Sequence, residues 1–368
     1  MMKILTLKHT IMGAAVGLAI ASSMVSAADR VVNVYNWSDY IDETILTDFE
    51  KETGIKVNYD VFDSNEILET KMLTGSSGYD IVTPTGGFLK RQIKAGVFQK
   101  LDKSKLPNLK HAWDDIQKVT AAYDPGNAYS INYMWGTTGI GFVKSKVDER
   151  IKDAPVDSYS LVFDPQYSAQ LADCGIYILD APSETIPAAL KYLGLDPNSK
   201  DPADIKKAED AYSKIRQYVR KFHSSEFISA LANGDACLAL GWSGDILQAR
   251  DRAVEADNGI EVGYRIPKEG AQVWFDQMAI PTDAKNVEEA HIFLDYLMRP
   301  EVIAKASNYI NYANGNKTSQ QYLDKSVLED KAIYPSDATM KELFTHTADG
   351  AKYTRNLNRT WTRIKTGQ

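Results

Sequence analysis

Cysteine is nearly absent from this 368-residue sequence: there are two, Cys174 and Cys237. No cysteine lies in the first thirty residues, which excludes a lipid anchor near the N-terminus. Histidine is also scarce, and none of the five sits in a metal-ligand spacing such as HExxH, so no metal site is expected. No GxSxG elbow is present, and "GTTGIGF" lacks the third glycine of a dinucleotide loop, so no cofactor is expected either. Basic residues are outnumbered, 42 Lys and Arg against 49 Asp and Glu, a formal charge of −7. That balance argues against nucleic acid and anionic membranes as partners and mildly favours a cationic ligand.

Long apolar runs are missing too, apart from one near the start. Lys3 and Lys8 precede the apolar stretch Ile11 to Ile20, and the small residues from Ala21 to Ala28 follow. This is the layout of a secretory signal peptide over residues 1–27, too short in its apolar part to stay as a membrane span, with cleavage expected after Ala27. The mature chain is expected in a bacterial periplasm. Losing two lysines takes its formal charge to about −9. In an oxidising compartment Cys174 and Cys237 read as one disulfide, since each opens a β-like run, "CGIYILD" and "CLALGW".

About 340 residues then remain, enough for two domains of ordinary size. Strand-like and helix-like stretches alternate, the pattern of an α/β protein with largely parallel sheets. Residues 31–37 form a strand, a helix follows with Ile41, Ile45, Leu46 and Phe49 on one stripe, and Gly54 caps it. "IKVNYDVF" is a second strand, Asp63 and Glu66 make a capping box for the next helix, and "YDIVTP" is a third strand. "YDPGNAYSINYMWGTTGIGFV" breaks the rhythm with two β-like runs, 129–135 and 140–143, and reads as a first crossover between two lobes. The expected organisation is lobe one over 28–136, lobe two over 137–256, a return to lobe one over 257–316, and C-terminal helices over 317–368 packing on the lobes.

Strand one ends Trp37, Ser38, Asp39, and the strand through 242 ends Trp242, Ser243, Gly244, Asp245. Ligands of open α/β sheets bind beyond the C-terminal strand ends, so these tips face one another across a cleft. Trp274 and Asp276 make a third such pair. Taken singly, the serines and aspartates also fit helix N-caps, and each tryptophan also fits a core position. Taken together they suit an organic cation: carboxylates supply counter-charge, and each indole face adds about 0.5 to 2 kcal/mol of cation–π attraction. Paired carboxylates and indoles would also serve a glycosidase.

The stretches "VYNWSDYI", "FEKETGIKVNYDVFDSNE", "YMWGTTGIG", "HSSEFISALANGDACLALGWSGD", "YRIPKEGA" and "YANGNK" closely resemble periplasmic polyamine-binding proteins of ABC transporters, the putrescine-binding type above all. The likeness runs over essentially the whole mature chain. It implies a type II two-lobed periplasmic binding protein fold, with mixed sheets flanked by helices and hinge crossovers between the lobes. It also implies closure on a small cationic polyamine, docking on a membrane permease, and a Cys174–Cys237 pair. It places Trp37, Ser38, Asp39 and Tyr40 on the lobe-one wall, with Trp242 and Asp245 opposite. Thr85, Glu184, Trp274, Asp276 and Tyr312 join them in the expected ligand set, although Glu184 also fits a surface acid and Tyr312 a core tyrosine.

Specificity signals are mixed. The resemblance puts Thr85 where the putrescine type has serine, and Gly87 where a larger side chain stands. Ala181 looks like the diamine type, whereas Trp274 and His346 look more like spermidine-preferring relatives. The expected function is a monomeric, non-catalytic binding protein delivering putrescine, with spermidine and cadaverine as further candidates. A spermidine-preferring binder, a polyamine-sensing signalling subunit and, remotely, a carboxylate-dependent glycosidase are the alternatives.

Overall fold

The computed structural model describes residues 30–346 and 350–367, so the expected signal peptide and its cleavage site lie outside the described residues. Among the described residues ten strands run β1 Val31–Trp37, β2 Lys56–Phe62, β3 Ile81–Val82, β4 Ser130–Val143, β5 Ile176–Ile178, β6 Val219–Phe222, β7 Leu238–Trp242, β8 Val262–Arg265, β9 Gln272–Ala279 and β10 Ala313–Asn314. Their order is β2-β1-β3-β9-β4-β7-β5-β6, with β8 and β10 also on β4. The parallel trio β2-β1-β3 belongs to one lobe and the parallel trio β7-β5-β6 to the other. Antiparallel β9 and β4 join them, so the fold is the type II two-lobed arrangement with mixed sheets.

The first unit follows from its local chemistry. Val32 and Val34 of β1 are fully buried, and the next helix, Glu43–Thr53, packs Ile45 and Phe49 inward. Asp42 caps it by accepting from the Thr44 N–H at 2.9 Å, and Gly54 ends it at φ 69°, a left-handed backbone that glycine adopts without strain. The following helix, Asn65–Leu73, departs from expectation. Ser64, not Asp63, is its N-cap, accepting from the Ile67 N–H. Asp63 is unavailable because its carboxylate accepts from Ser38 Oγ at 2.9 Å and Ser225 Oγ at 3.2 Å, the latter from the opposite lobe. Glu66 likewise turns to Ser183 Oγ rather than back to the cap.

The two β-like runs expected at 129–135 and 140–143 are one 14-residue strand. The early half of β4 pairs with β9 and β10, and the late half pairs with β7 and β8. Glycines at 136, 139 and 141 look like a break in the sequence, but here they let side chains crowd the ribbon: a Cβ on Gly136 would come within 2.8 Å of Trp274. Strand β8, within the stretch expected to return to lobe one, pairs along Ile140–Val143, the half of β4 that also pairs with β7. Strand β9 pairs with both β3 and β4.

The C-terminal stretch divides between the lobes. Leu323, Val327, Ile333 and Tyr334 join the first core, whereas the helix Ala351–Thr366 seats Leu357, Trp361 and Ile364 in the core of lobe two. Cys174 and Cys237 are bonded, with Cα atoms 5.5 Å apart, just ahead of the parallel neighbours β5 and β7. The two cysteines are 63 residues apart in sequence, and closing a loop of that length contributes roughly 4 kcal/mol on the chain-entropy account.

Candidate functional site

Both lobes send the C-terminal tips of central strands to one cavity of about 350 Å³, mouth included, lined by Trp37, Ser38, Tyr40, Thr85, Glu184, Trp242, Asp245, Trp274, Asp276 and Tyr312. β1 delivers Trp37 and runs out into Ser38 and Tyr40; β7 delivers Trp242. Asp245 and Glu184 each stand in the first turn of a helix, Ser243–Glu255 and Pro182–Tyr192, and Asp276 stands on β9.

The aromatic walls are locked. Trp37 donates its indole N–H to the Thr83 carbonyl at 2.9 Å and meets Trp242 edge to face, 5.5 Å between ring centroids across the lobes. Tyr312 packs edge-on against Tyr40 at 5.1 Å and Trp274 at 5.3 Å. Tyr133, absent from the expected set, donates its hydroxyl to the Tyr40 carbonyl at 2.7 Å and fixes that turn.

Each carboxylate is held by neutral donors only. Asp276 accepts from Tyr40 Oη at 2.9 Å and Thr85 Oγ1 at 2.6 Å. Asp245 accepts from Tyr312 Oη at 2.7 Å. Glu184 accepts from the Trp242 indole N–H at 2.8 Å and from Thr138 Oγ1. Thr138, absent from the expected set, is buried, and nothing in "GTTGIG" marks it in the sequence.

Among the described residues no Lys, Arg or His lines the cavity. Burial therefore governs the acids: it pushes Asp276 and Glu184 up to about 7 and Asp245 up to about 8, against the pull of their hydrogen bonds. Two of the three stand at helix N-termini, whose dipoles favour the anion, yet desolvation outweighs that help. Asp276 also raises Glu184 across the lobes, a repulsion that a cation between them would reverse.

Asp39 is the departure among the expected wall residues. It adopts φ 52° and does not line the cavity. The turn swings its carboxylate outward to Arg252 of the other lobe, at 2.7 Å. Gly87, Ala181 and His346 are also outside the lining. Ala181 is the N-cap of the Glu184 helix, and Gly87 lies under His346, where a Cβ would meet the imidazole at 3.0 Å.

The two-lobed fold with a cleft at its strand ends is that of periplasmic binding proteins. The chain belongs to the bacterial extracellular solute-binding protein family, whose pattern matches residues 44–358. It is 51% identical over 349 residues to the putrescine-binding periplasmic protein SpuD of Pseudomonas aeruginosa, covering 94% of this chain and 95% of that one. It is 47% identical over 353 residues to the putrescine-binding periplasmic protein PotF of Escherichia coli, covering 95% of each. A Listeria monocytogenes structure assigned as a spermidine/putrescine ABC transporter superposes with a TM-score of 0.82 at 31% identity, covering 92% of this chain and all of that one. Among the described residues no helix is long and apolar enough to cross a membrane.

Proposed function

We propose that this chain is a periplasmic solute-binding protein that captures putrescine by closing its two lobes and hands it to an ABC import permease. The observation that carries the reading is an indole-walled cavity holding three buried carboxylates from both lobes and, among the described residues, no basic side chain. Three acids in such a place are costly when ionised and empty. A diamine with an ammonium at each end removes that cost and supplies methylenes for the indole walls. Asp276 is a lobe-one anchor; Asp245 and Glu184 are lobe-two anchors; Trp37, Trp242, Trp274, Tyr40 and Tyr312 form the walls; Ser38 and Thr85 set the wall polarity.

The same arrangement explains closure. Without ligand, acids on opposite lobes repel; with a dication between them, each lobe gains by approaching the other. The reading extends to a mature periplasmic chain starting after Ala27, acting as a monomer and catalysing nothing. Its relatives' names support putrescine, and the 51% and 47% identities span nearly the whole chain.

Titration calorimetry of the mature protein with putrescine, cadaverine, spermidine and spermine tests the assignment. Putrescine is expected to give a saturable one-to-one heat, and silence with every amine would sink the reading. Small-angle scattering with and without ligand tests the mechanism, since closure predicts a smaller radius of gyration.

A further inference from the structure

The hydrogen bonds behind Asp276 run one residue deeper than the cavity wall. Thr85 forms a bridge with Asp276 of β9 and stands at the N-cap of the helix Gly86–Lys94, where a threonine hydroxyl ordinarily accepts from its own helix. This hydroxyl makes no capping bond and donates to Asp276 Oδ1 at 2.6 Å instead. Behind it lies Asn65, 4% exposed, the first residue of the helix Asn65–Leu73 and outside the cavity lining. Asn65 Nδ2 donates to Thr85 Oγ1 at 2.9 Å, and Asn65 Oδ1 accepts from the Thr85 backbone N–H at 3.0 Å.

The directions of these bonds are forced. A backbone N–H only donates, so it turns the Asn65 carbonyl oxygen toward itself and leaves the amide nitrogen facing the hydroxyl. An amide nitrogen also only donates, so Thr85 Oγ1 must accept from it, and the hydroxyl proton is left for Asp276. Asp276 Oδ1 therefore faces a fixed donor rather than a free rotor, while Tyr40 Oη donates to Oδ2 at 2.9 Å. Donors on both oxygens favour the ionised carboxylate, the form that receives an ammonium group. The helix start itself does not call on the Asn65 side chain, because Ser64 caps it.

We propose that Asn65 is a positioning residue for ligand capture: through Thr85 it fixes the hydroxyl that holds Asp276 ready as a counter-charge. This rests on the reading of the cavity as a polyamine site and adds a residue that does not line it.

Calorimetry of putrescine at pH 6 and pH 9 tests this on the wild type, Asn65→Asp and Asn65→Ala, each with and without Thr85→Val. Asn65→Asp keeps the shape and the acceptor for the Thr85 N–H, suits the first turn of a helix, and replaces the donor by an acceptor that draws the Thr85 hydroxyl off Asp276. The ionisable groups that face Asp276 are Tyr40, Tyr133 and Tyr312, which burial holds protonated across this range, and Glu184, on which Glu66 bears in turn. They stand alike in wild type and variant, so they cancel in the comparison. Without the fixed donor Asp276 holds its proton about tenfold more tightly, so Asn65→Asp is expected to lose about tenfold more putrescine affinity at pH 6 than at pH 9. Asn65→Ala, which adds no charge, is expected to lose at least about threefold more at pH 6. With Thr85→Val there is no hydroxyl to direct, and either change at residue 65 then shifts the two affinities equally, within about twofold. A loss of the same size at both pH values, or a pH-dependent loss that persists with Thr85→Val, overturns the proposal, because Asn65 would then act through the fold or through charge alone. Unchanged affinity overturns it too. Failure of the underlying reading is distinct: the wild type would then give no putrescine heat at either pH.

Discussion

Binding should release protons and weaken steeply as pH falls from 8 to 6. In the empty cavity burial holds Asp276 and Glu184 at about 7 and Asp245 at about 8. A dicationic ligand stabilises the ionised forms and drops these values, so the empty protein carries more protons than the complex. The sign follows: affinity rises with pH across this window and falls below it. Each group near 7 contributes about a tenfold loss between pH 8 and pH 6, and Asp245 about fiftyfold, on one decade per unit once pH is below the pKa. If two of the three ionise to meet two ammonium groups, the loss is about 10² to 10³-fold. The ligand's own charge is constant here, since alkylammonium groups titrate near 10. Calorimetry at pH 7 in buffers of different ionisation enthalpy reads the proton count directly, with one to two released per putrescine expected. Constant affinity from pH 6 to 8 with no proton release would refute the reasoning, because the acids would then be ionised already, without the ligand.

The same linkage acts on stability. The three folded-state values lie above the ordinary carboxylate range, so their contribution is full below about pH 4 and is lost as pH rises through 7 to 8; putrescine should therefore raise Tm more at pH 8 than at pH 5 in a thermal-shift assay. Asp276→Asn should cost about 3 to 5 kcal/mol of binding, since it leaves a buried ammonium unmatched, whereas Ser38→Ala, whose hydroxyl is committed to Asp63, should stay within about threefold; equal small losses by calorimetry would contradict the charge reading. Asp39→Asn and Arg252→Gln should each cost at most about 1 kcal/mol of affinity and no more together, as expected for one partly exposed ion pair; a large loss for Asp39→Asn alone would return Asp39 to the ligand. Replacing Cys174 and Cys237 by alanine should cost roughly 4 kcal/mol in a denaturant melt and leave putrescine binding intact.

What could be read in advance divides along physical lines. Trp37, Trp242 and Asp245 announce themselves because a strand tip is a place where side-chain type and position in the fold coincide, and the α/β alternation says which tips point at the cleft; Trp274 and Asp276, expected as a third such tip, lie instead within β9 and reach the cavity from the middle of that strand. Glu184 and Tyr312 carry no such mark: a glutamate in a helix's first turn and a tyrosine after a helix are ordinary, and only the likeness to a family singles them out. Asp39 shows the opposite limit. Its type fits a cation site, but the direction of a side chain is set by φ and ψ, and a left-handed residue at the strand exit aims it at Arg252 instead. Pairing partners were equally hidden, since "GIEVGYRIP" reads as a strand whichever lobe receives it, and only the 14-residue reach of β4 decides. The cap differs from expectation for a related reason: Asp63 has the right chemistry for a cap, yet two serines from distant elements claim its Oδ1. Local rules assign residues by what they can do, and tertiary competition decides what they are left free to do. The cavity acids are where that competition was left open, with hydroxyls and an indole as donors and no cation among the lining side chains.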